Sequence, residues 1–139
     1  METRRLEATV QNLDKVLEFA DGLLETVACP IKIQMQIDLA IEEIFVNIAN
    51  YAYAPETGMA EISVEITASP KTAVITFSDS GKPYNPLEKA DPDINLSAKE
   101  RQIGGLGIYM VKKTMDDVQY EYAEGKNRLT LVKKLNICE

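Results

Sequence analysis

Glu61-Ile62-Ser63-Val64-Glu65-Ile66-Thr67 alternates polar and apolar residues without a break, and beyond Ser69-Pro70-Lys71 the alternation resumes in Ala73-Val74-Ile75-Thr76-Phe77-Ser78-Asp79. A period of two marks a strand with one buried face, and two such runs joined by a short turn read as an antiparallel hairpin. Ile62, Val64 and Ile66 line one face of the first run, and Ile75 and Phe77 line one face of the second. The same alternation puts Asp79 with Ile75 and Phe77, so a carboxylate points inward where the strand ends.

Upstream of the hairpin the period changes to that of a helix. Residues 31–53 form the longer of two predicted helices, ended near Pro55, with Ile33, Ile37, Ile41, Ile44, Ile48 and Ala52 in one apolar stripe. Leu39 and Val46 lie opposite that stripe and need a cover of their own. A first helix spans about 13–28, with Leu13, Val16, Leu17, Ala20, Leu24 and Val27 on one side and Asn12 as its N-cap. Pro30 breaks the chain between the two helices and suits the first turn of the second. Residues 5–10 alternate, with Leu6, Ala8 and Val10 on one face, and predict an opening strand.

Downstream, residues 80–103 hold Gly81, Pro83, Pro86 and Pro92 among mixed charges and read as a long loop of the kind that covers functional sites. Gly104-Gly105-Leu106-Gly107 then opens a helix running to about Met115, and Val118–Tyr122 with Leu129–Val132 make a second hairpin around Gly125-Lys126-Asn127. Strand, two helices, two strands, loop, helix, two strands predicts an α/β two-layer sandwich: a mixed, mostly antiparallel sheet covered on one face by helices. No repeat or linker divides residues 1–139, which read as one domain.

Composition narrows the chemistry. The chain has no histidine, which excludes triads and metal sites built on imidazole and autophosphorylation on histidine. Two cysteines, Cys29 and Cys138, without a CxxC pair argue against a zinc site or a disulfide framework. A net charge of −7 with no visible basic patch argues against nucleic-acid binding. No apolar run approaches the roughly 20 residues of a membrane span, and the N-terminal residues lack signal-peptide character. The expectation is a soluble cytoplasmic protein with no nucleic-acid and no membrane partner.

Three short patterns carry chemistry. Glu43, Asn47 and Asn50 fall within roughly 60° on a flank of the apolar stripe, where an amide oxygen can ligate Mg²⁺ and a carboxylate one turn back can take a proton. Asp79-Ser80-Gly81 offers an inward carboxylate, which needs a donor such as the amino group of adenine, and a glycine beside which a flat ring can approach the backbone. Gly104-Gly105-Leu106-Gly107 leaves backbone N–H groups facing outward at a helix start, a site for an anion. Each alone has an ordinary reading: a solvated helix face, a turn, a flexible hinge.

Taken together and in this order, the patterns resemble the N box and the first and second glycine boxes of the GHKL ATPase superfamily, with its Bergerat nucleotide site. More narrowly, the chain resembles bacterial anti-sigma-factor serine/threonine kinases over nearly its whole length. The resemblance implies ATP and Mg²⁺ as ligands, Glu43 as general base, Asn47 as the Mg²⁺ ligand, and Asp79 as the reader of adenine with Gly81 beside the purine. It implies that Gly105, Leu106 and Gly107 line the phosphates, that Asn50 faces the nucleotide, and that residues 82–103 form a lid in which Lys99 or Arg101 meets the terminal phosphate. The family often carries a Gly-Thr-Thr near the last hairpin whose threonine holds the purine end. Here Gly125-Lys126-Asn127-Arg128 stands there, and Thr130 is the substitute if the register shifts.

The implied activity is phosphorylation of a STAS-type anti-anti-sigma protein, which competes with a sigma factor for a homodimer of this chain. An ATP-gated binding module and an ATPase that passes phosphate to water are the alternatives.

Overall fold

The computed structural model describes residues 1–68, 70–88 and 105–135, with Gly105 and Leu106 described as backbone only. In chain order these residues form β1 (Glu2–Glu7), α1 (Leu13–Thr26), α2 (Ile31–Asn47), β2 (Met59–Thr67), β3 (Thr72–Asp79), α3 (Gly105–Thr114), β4 (Asp117–Ala123) and β5 (Lys126–Lys134). Single 3₁₀ turns sit at Val10–Asn12 and Pro86–Glu88.

The hairpin forms as its alternation predicts. β2 and β3 pair antiparallel from Thr67↔Thr72 to Ala60↔Asp79, and every second residue of β3 is buried. Among the described residues the sheet order is β1-β2-β3-β5-β4 and each neighbouring pair is antiparallel; the sequence predicts a mixed, mostly antiparallel sheet, and no parallel pair occurs among these strands. Ile62 and Val64, Ile75 and Phe77, and Leu129 and Leu131 turn one face toward Val16, Ala20 and Leu24 of α1, Ile37, Ile41, Ile44 and Phe45 of α2, and Ile108 and Val111 of α3. Each such side chain contributes roughly 1.5–3 kcal/mol when fully buried, so this single layer between sheet and helices drives the fold.

Four boundaries differ from the sequence reading. The opening strand ends at Glu7 and does not reach residue 10, because pairing stops at Glu7↔Met59 and Ala8 instead donates to Gly58 O at 2.8 Å. β1 is an edge strand whose residues are mostly exposed, so apolar alternation does not mark its register. Asn12 stands at the N-cap of α1, but its side chain donates to Glu7 O at 2.8 Å and makes no cap. Pro30 precedes α2 rather than opening it, and its carbonyl accepts the N–H of Gln34 at 2.9 Å.

The fourth difference bears on the site. The last hairpin turns at Glu124 and Gly125, both at positive φ (56° and 76°), as a tight two-residue hairpin turn requires. Lys126 and Asn127 therefore belong to β5, and Asn127 shares the buried face of Leu129 and Leu131. Thr130 faces the other way and meets Thr76 Oγ1 at 3.3 Å, so it does not take the threonine role considered for it.

Candidate functional site

α2 does not run straight on to Tyr53. It is α-helical to Asn47 and widens to a π-helical turn over Ile48–Ala52. Such turns re-aim side chains and are frequent at functional sites. Here Asn47, Ile48, Tyr51 and Ala52 line a cleft of about 480 Å³ including its open mouth. Asn50 is exposed and does not line this cleft.

The opposite wall comes from the sheet and the segment that follows β3. Phe77 and Asp79 of β3, Lys82, Tyr84 and Pro86 beyond it, and Tyr120, Asn127 and Leu129 of the last hairpin complete the lining. Gly81 joins the two walls. A Cβ at this position would lie 2.3 Å from the carbonyl oxygen of Ala52 and 2.6 Å from its carbon, so only glycine lets the strand end meet the helix end. Lys82 N–H then donates to that same Ala52 oxygen at 3.0 Å. Tyr53 locks the corner, donating its hydroxyl to Met59 O at 2.6 Å and accepting the N–H of Ser80 at 2.8 Å.

Asp79 is 6% exposed. Its Oδ1 accepts from Gly81 N–H and from Asn127 Nδ2, each at 2.9 Å. Asn127 is equally buried and uses its whole amide: Nδ2 also donates to Lys82 O at 2.8 Å, while Oδ1 accepts from Tyr84 N–H at 3.1 Å and from the Tyr120 hydroxyl. Burial pushes the Tyr120 phenol above its ordinary pKa, and the charge of Asp79 adds to this against the lowering effect of Tyr84 N–H. The phenol therefore keeps its proton and remains a donor.

One helical turn before Asn47, half-buried Glu43 accepts from Asn47 Nδ2 at 3.3 Å. α3 starts against this carboxylate: a Cβ on Gly107 would lie 2.1 Å from Glu43 Oε1. Asn47 lines the cleft opposite Asp79 and is bonded to Glu43, against which Gly107 of α3 sits, so Glu43 and the start of α3 lie beside the cleft rather than in its lining. Gly105 and Leu106 open α3. Gly104, Lys99, Arg101 and most of the 82–103 lid lie outside the described residues, as does Cys138.

Among the described residues no group of three or more His, Cys, Asp or Glu side chains could hold a metal. With its Nδ2 turned to Glu43, Asn47 keeps Oδ1 as a neutral oxygen donor. That suits Mg²⁺, which takes few protein ligands and fills its shell with water and phosphate. Sequence reasoning missed Tyr51, Lys82, Tyr84, Tyr120 and Asn127. For Asn127 a signal existed: it continues the Leu129 and Leu131 alternation toward the turn.

Residues 6–133 match the family model described as the histidine kinase-like ATPase domain, and the chain belongs to that family. It is similar to the serine/threonine-protein kinase BtrW of Bordetella bronchiseptica, at 25% identity over 72% of this chain and 70% of that protein. It is similar also to serine-protein kinases named RsbW, at 29% identity in Listeria monocytogenes (64% of this chain, 59% of that protein) and 32% in Bacillus mycoides (63% and 56%). The match thus spans under two thirds of the RsbW proteins. Among solved structures, the histidine kinase AdeS of Acinetobacter baumannii shares the fold, with a TM-score of 0.54 at 14% identity over 98% of this chain and 70% of that one.

Proposed function

We propose that this chain is an ATP-dependent protein serine/threonine kinase that modifies a STAS-type partner in an anti-sigma partner switch. The observation that carries this reading is the pairing of Glu43, which sits against Gly107, with Asn47, which lines a cleft whose opposite wall presents Asp79. A binder would need the wall; the half-buried carboxylate beside the α3 N-terminus is what transfer chemistry adds.

Each residue has a role in this reading. Asp79 Oδ2 accepts the amino group of adenine, while Oδ1 stays occupied by Gly81 and Asn127. Asn47 Oδ1 would hold Mg²⁺, which when bound neutralises phosphate charge. Backbone N–H groups at the start of α3, Gly105 to Gly107, face the phosphates, where the helix dipole favours negative charge. Glu43 takes the proton of the partner's serine or threonine hydroxyl as its oxygen bonds the terminal phosphorus and the bond to the departing ADP oxygen breaks. Phosphoryl transfer asks mainly for positioning and charge stabilisation, which this set of residues supplies. A single domain over 1–139, homodimerisation and a cytoplasmic location belong to the same proposal. Among the described residues no helix is long and apolar enough to cross a membrane.

The test is incubation with γ-labelled ATP and purified STAS-domain proteins. Label on a partner serine or threonine is the expected result. Release of label as inorganic phosphate alone would make the chain an ATPase, and nucleotide binding without either product would make it an ATP-gated binding module.

A further inference from the structure

Asn127 engages all four hydrogen-bonding positions of its amide within a buried pocket. Two N–H groups face acceptors, Asp79 Oδ1 and Lys82 O, and the oxygen faces two donors, Tyr84 N–H and the Tyr120 hydroxyl. The surroundings therefore fix which way the amide points. Asn127 is also the cross-strand partner of Asp79 in the β3–β5 ladder, so the two side chains rise side by side from one face of the sheet.

From this we infer that Asn127 is a positioning residue that sets base selection, by holding Asp79 Oδ1 and so presenting Oδ2 to the exocyclic amino group of a purine. Without the amide, Asp79 retains only Gly81 N–H as its described partner and is free to rotate about its last torsion. The same amide ties the Lys82–Tyr84 backbone to the sheet, which keeps that wall of the cleft in place. A threonine at this position could donate a single hydrogen bond and could not reproduce the set. This inference rests on the nucleotide reading above and adds to it the residue that makes the reading of the amino group strict.

The test compares the affinities of the full chain for ATP and for purine riboside 5′-triphosphate, which lacks the amino group, in the wild type, Asn127→Asp and Asn127→Ala. The wild type should prefer ATP by about tenfold or more, the range of a hydrogen bond to a charged group. Asn127→Asp puts an acceptor against Asp79 and Lys82 O and should reduce the preference to below about threefold. Asn127→Ala should do likewise, and serves if Asn127→Asp does not fold. Tyr120→Phe removes one of the groups that orient the amide and should lower the preference by a smaller factor. A merely structural role would weaken both nucleotides equally and leave the ratio unchanged; that result in the two Asn127 variants would overturn the inference while leaving the nucleotide reading intact. A wild type that binds both nucleotides alike would overturn the adenine role of Asp79, and the inference with it.

Discussion

Asn127 donates its side-chain amide to Asp79 Oδ1 at 2.9 Å across 48 residues of sequence, and both side chains are 6% exposed. A buried carboxylate without donors would be strongly disfavoured, so this bond and that from Gly81 N–H explain how Asp79 is tolerated at the end of a core strand. The arrangement leaves one carboxylate oxygen for a ligand.

Asp79→Asn should therefore weaken ATP binding by about 2 kcal/mol or more. The new amide would place a donor toward either Asn127 Nδ2 or the adenine amino group, and one of those pairs must fail. GTP should bind the wild type poorly, since its ring presents a carbonyl at that point. Calorimetric titration with both nucleotides checks this; equal affinities for ATP and GTP would contradict the adenine role.

Glu43→Gln should separate chemistry from binding. The glutamine keeps an oxygen to accept Asn47 Nδ2 but cannot take a proton. Single-turnover transfer to the partner hydroxyl at saturating Mg-ATP should fall about 10²–10⁴-fold, with nucleotide affinity little changed. An unaltered rate would remove Glu43 from the reaction.

Two glycines should respond in opposite ways to the same substitution. Gly81→Ala drives a Cβ to 2.3 Å from a backbone oxygen that cannot withdraw, and should cost about 1–3 kcal/mol of stability. Gly107→Ala has as its nearest atoms those of the Glu43 carboxylate, at 2.1 Å, the far end of a flexible side chain, so it should lose little stability. Its melting temperature should hold while transfer slows by up to about 10²-fold through displacement of Glu43. Thermal unfolding and transfer rates on both variants decide; a destabilised Gly107→Ala with normal transfer would refute the placement of Glu43.

Stability should fall as pH rises through neutrality. Asp38 of α2 faces Asp21 of α1, and among the described residues no N–H or hydroxyl donor reaches the buried Oδ1 of either carboxyl. Burial first, then a hydrogen bond to Asp21 and the charges of Asp21 and Glu25, push the Asp38 carboxyl up to about 8. Nearby, the thiol of Cys29 is also raised, by burial, then by Asp38 and Asp21, against Lys71. A carboxyl raised in the folded state binds a proton that the unfolded chain has released. Its stabilisation is complete below the ordinary carboxylate value of about 4 and is lost as pH climbs to about 8. Urea unfolding at steps from pH 5 to pH 8.5 should show this decline, and Asp38→Asn, which donates to Asp21 at every pH, should flatten it. An equally steep decline in Asp38→Asn would assign the effect elsewhere.

Local pattern by itself determined the element order, the β2–β3 hairpin, the buried stripe of α2 and the inward turn of Asp79, because periods of two and 3.6 are set by backbone geometry and show in the sequence wherever one face is buried. It also grouped Glu43 with Asn47, which lie one turn apart on a single helix. What it could not determine was anything that depends on where separate elements meet. The π-helical turn after Asn47, which has Tyr51 among the cleft's lining residues and Asn50 outside it, belongs to this class. So does the Glu124–Gly125 turn that places Asn127 in β5. Only the packed sheet brings Asn127 of the last hairpin to Asp79 of the first, and only the approach of α3 to α2 sets Gly107 on Glu43. Those contacts arise because buried polar groups must find partners wherever the fold supplies them, and the supplier here is distant in sequence.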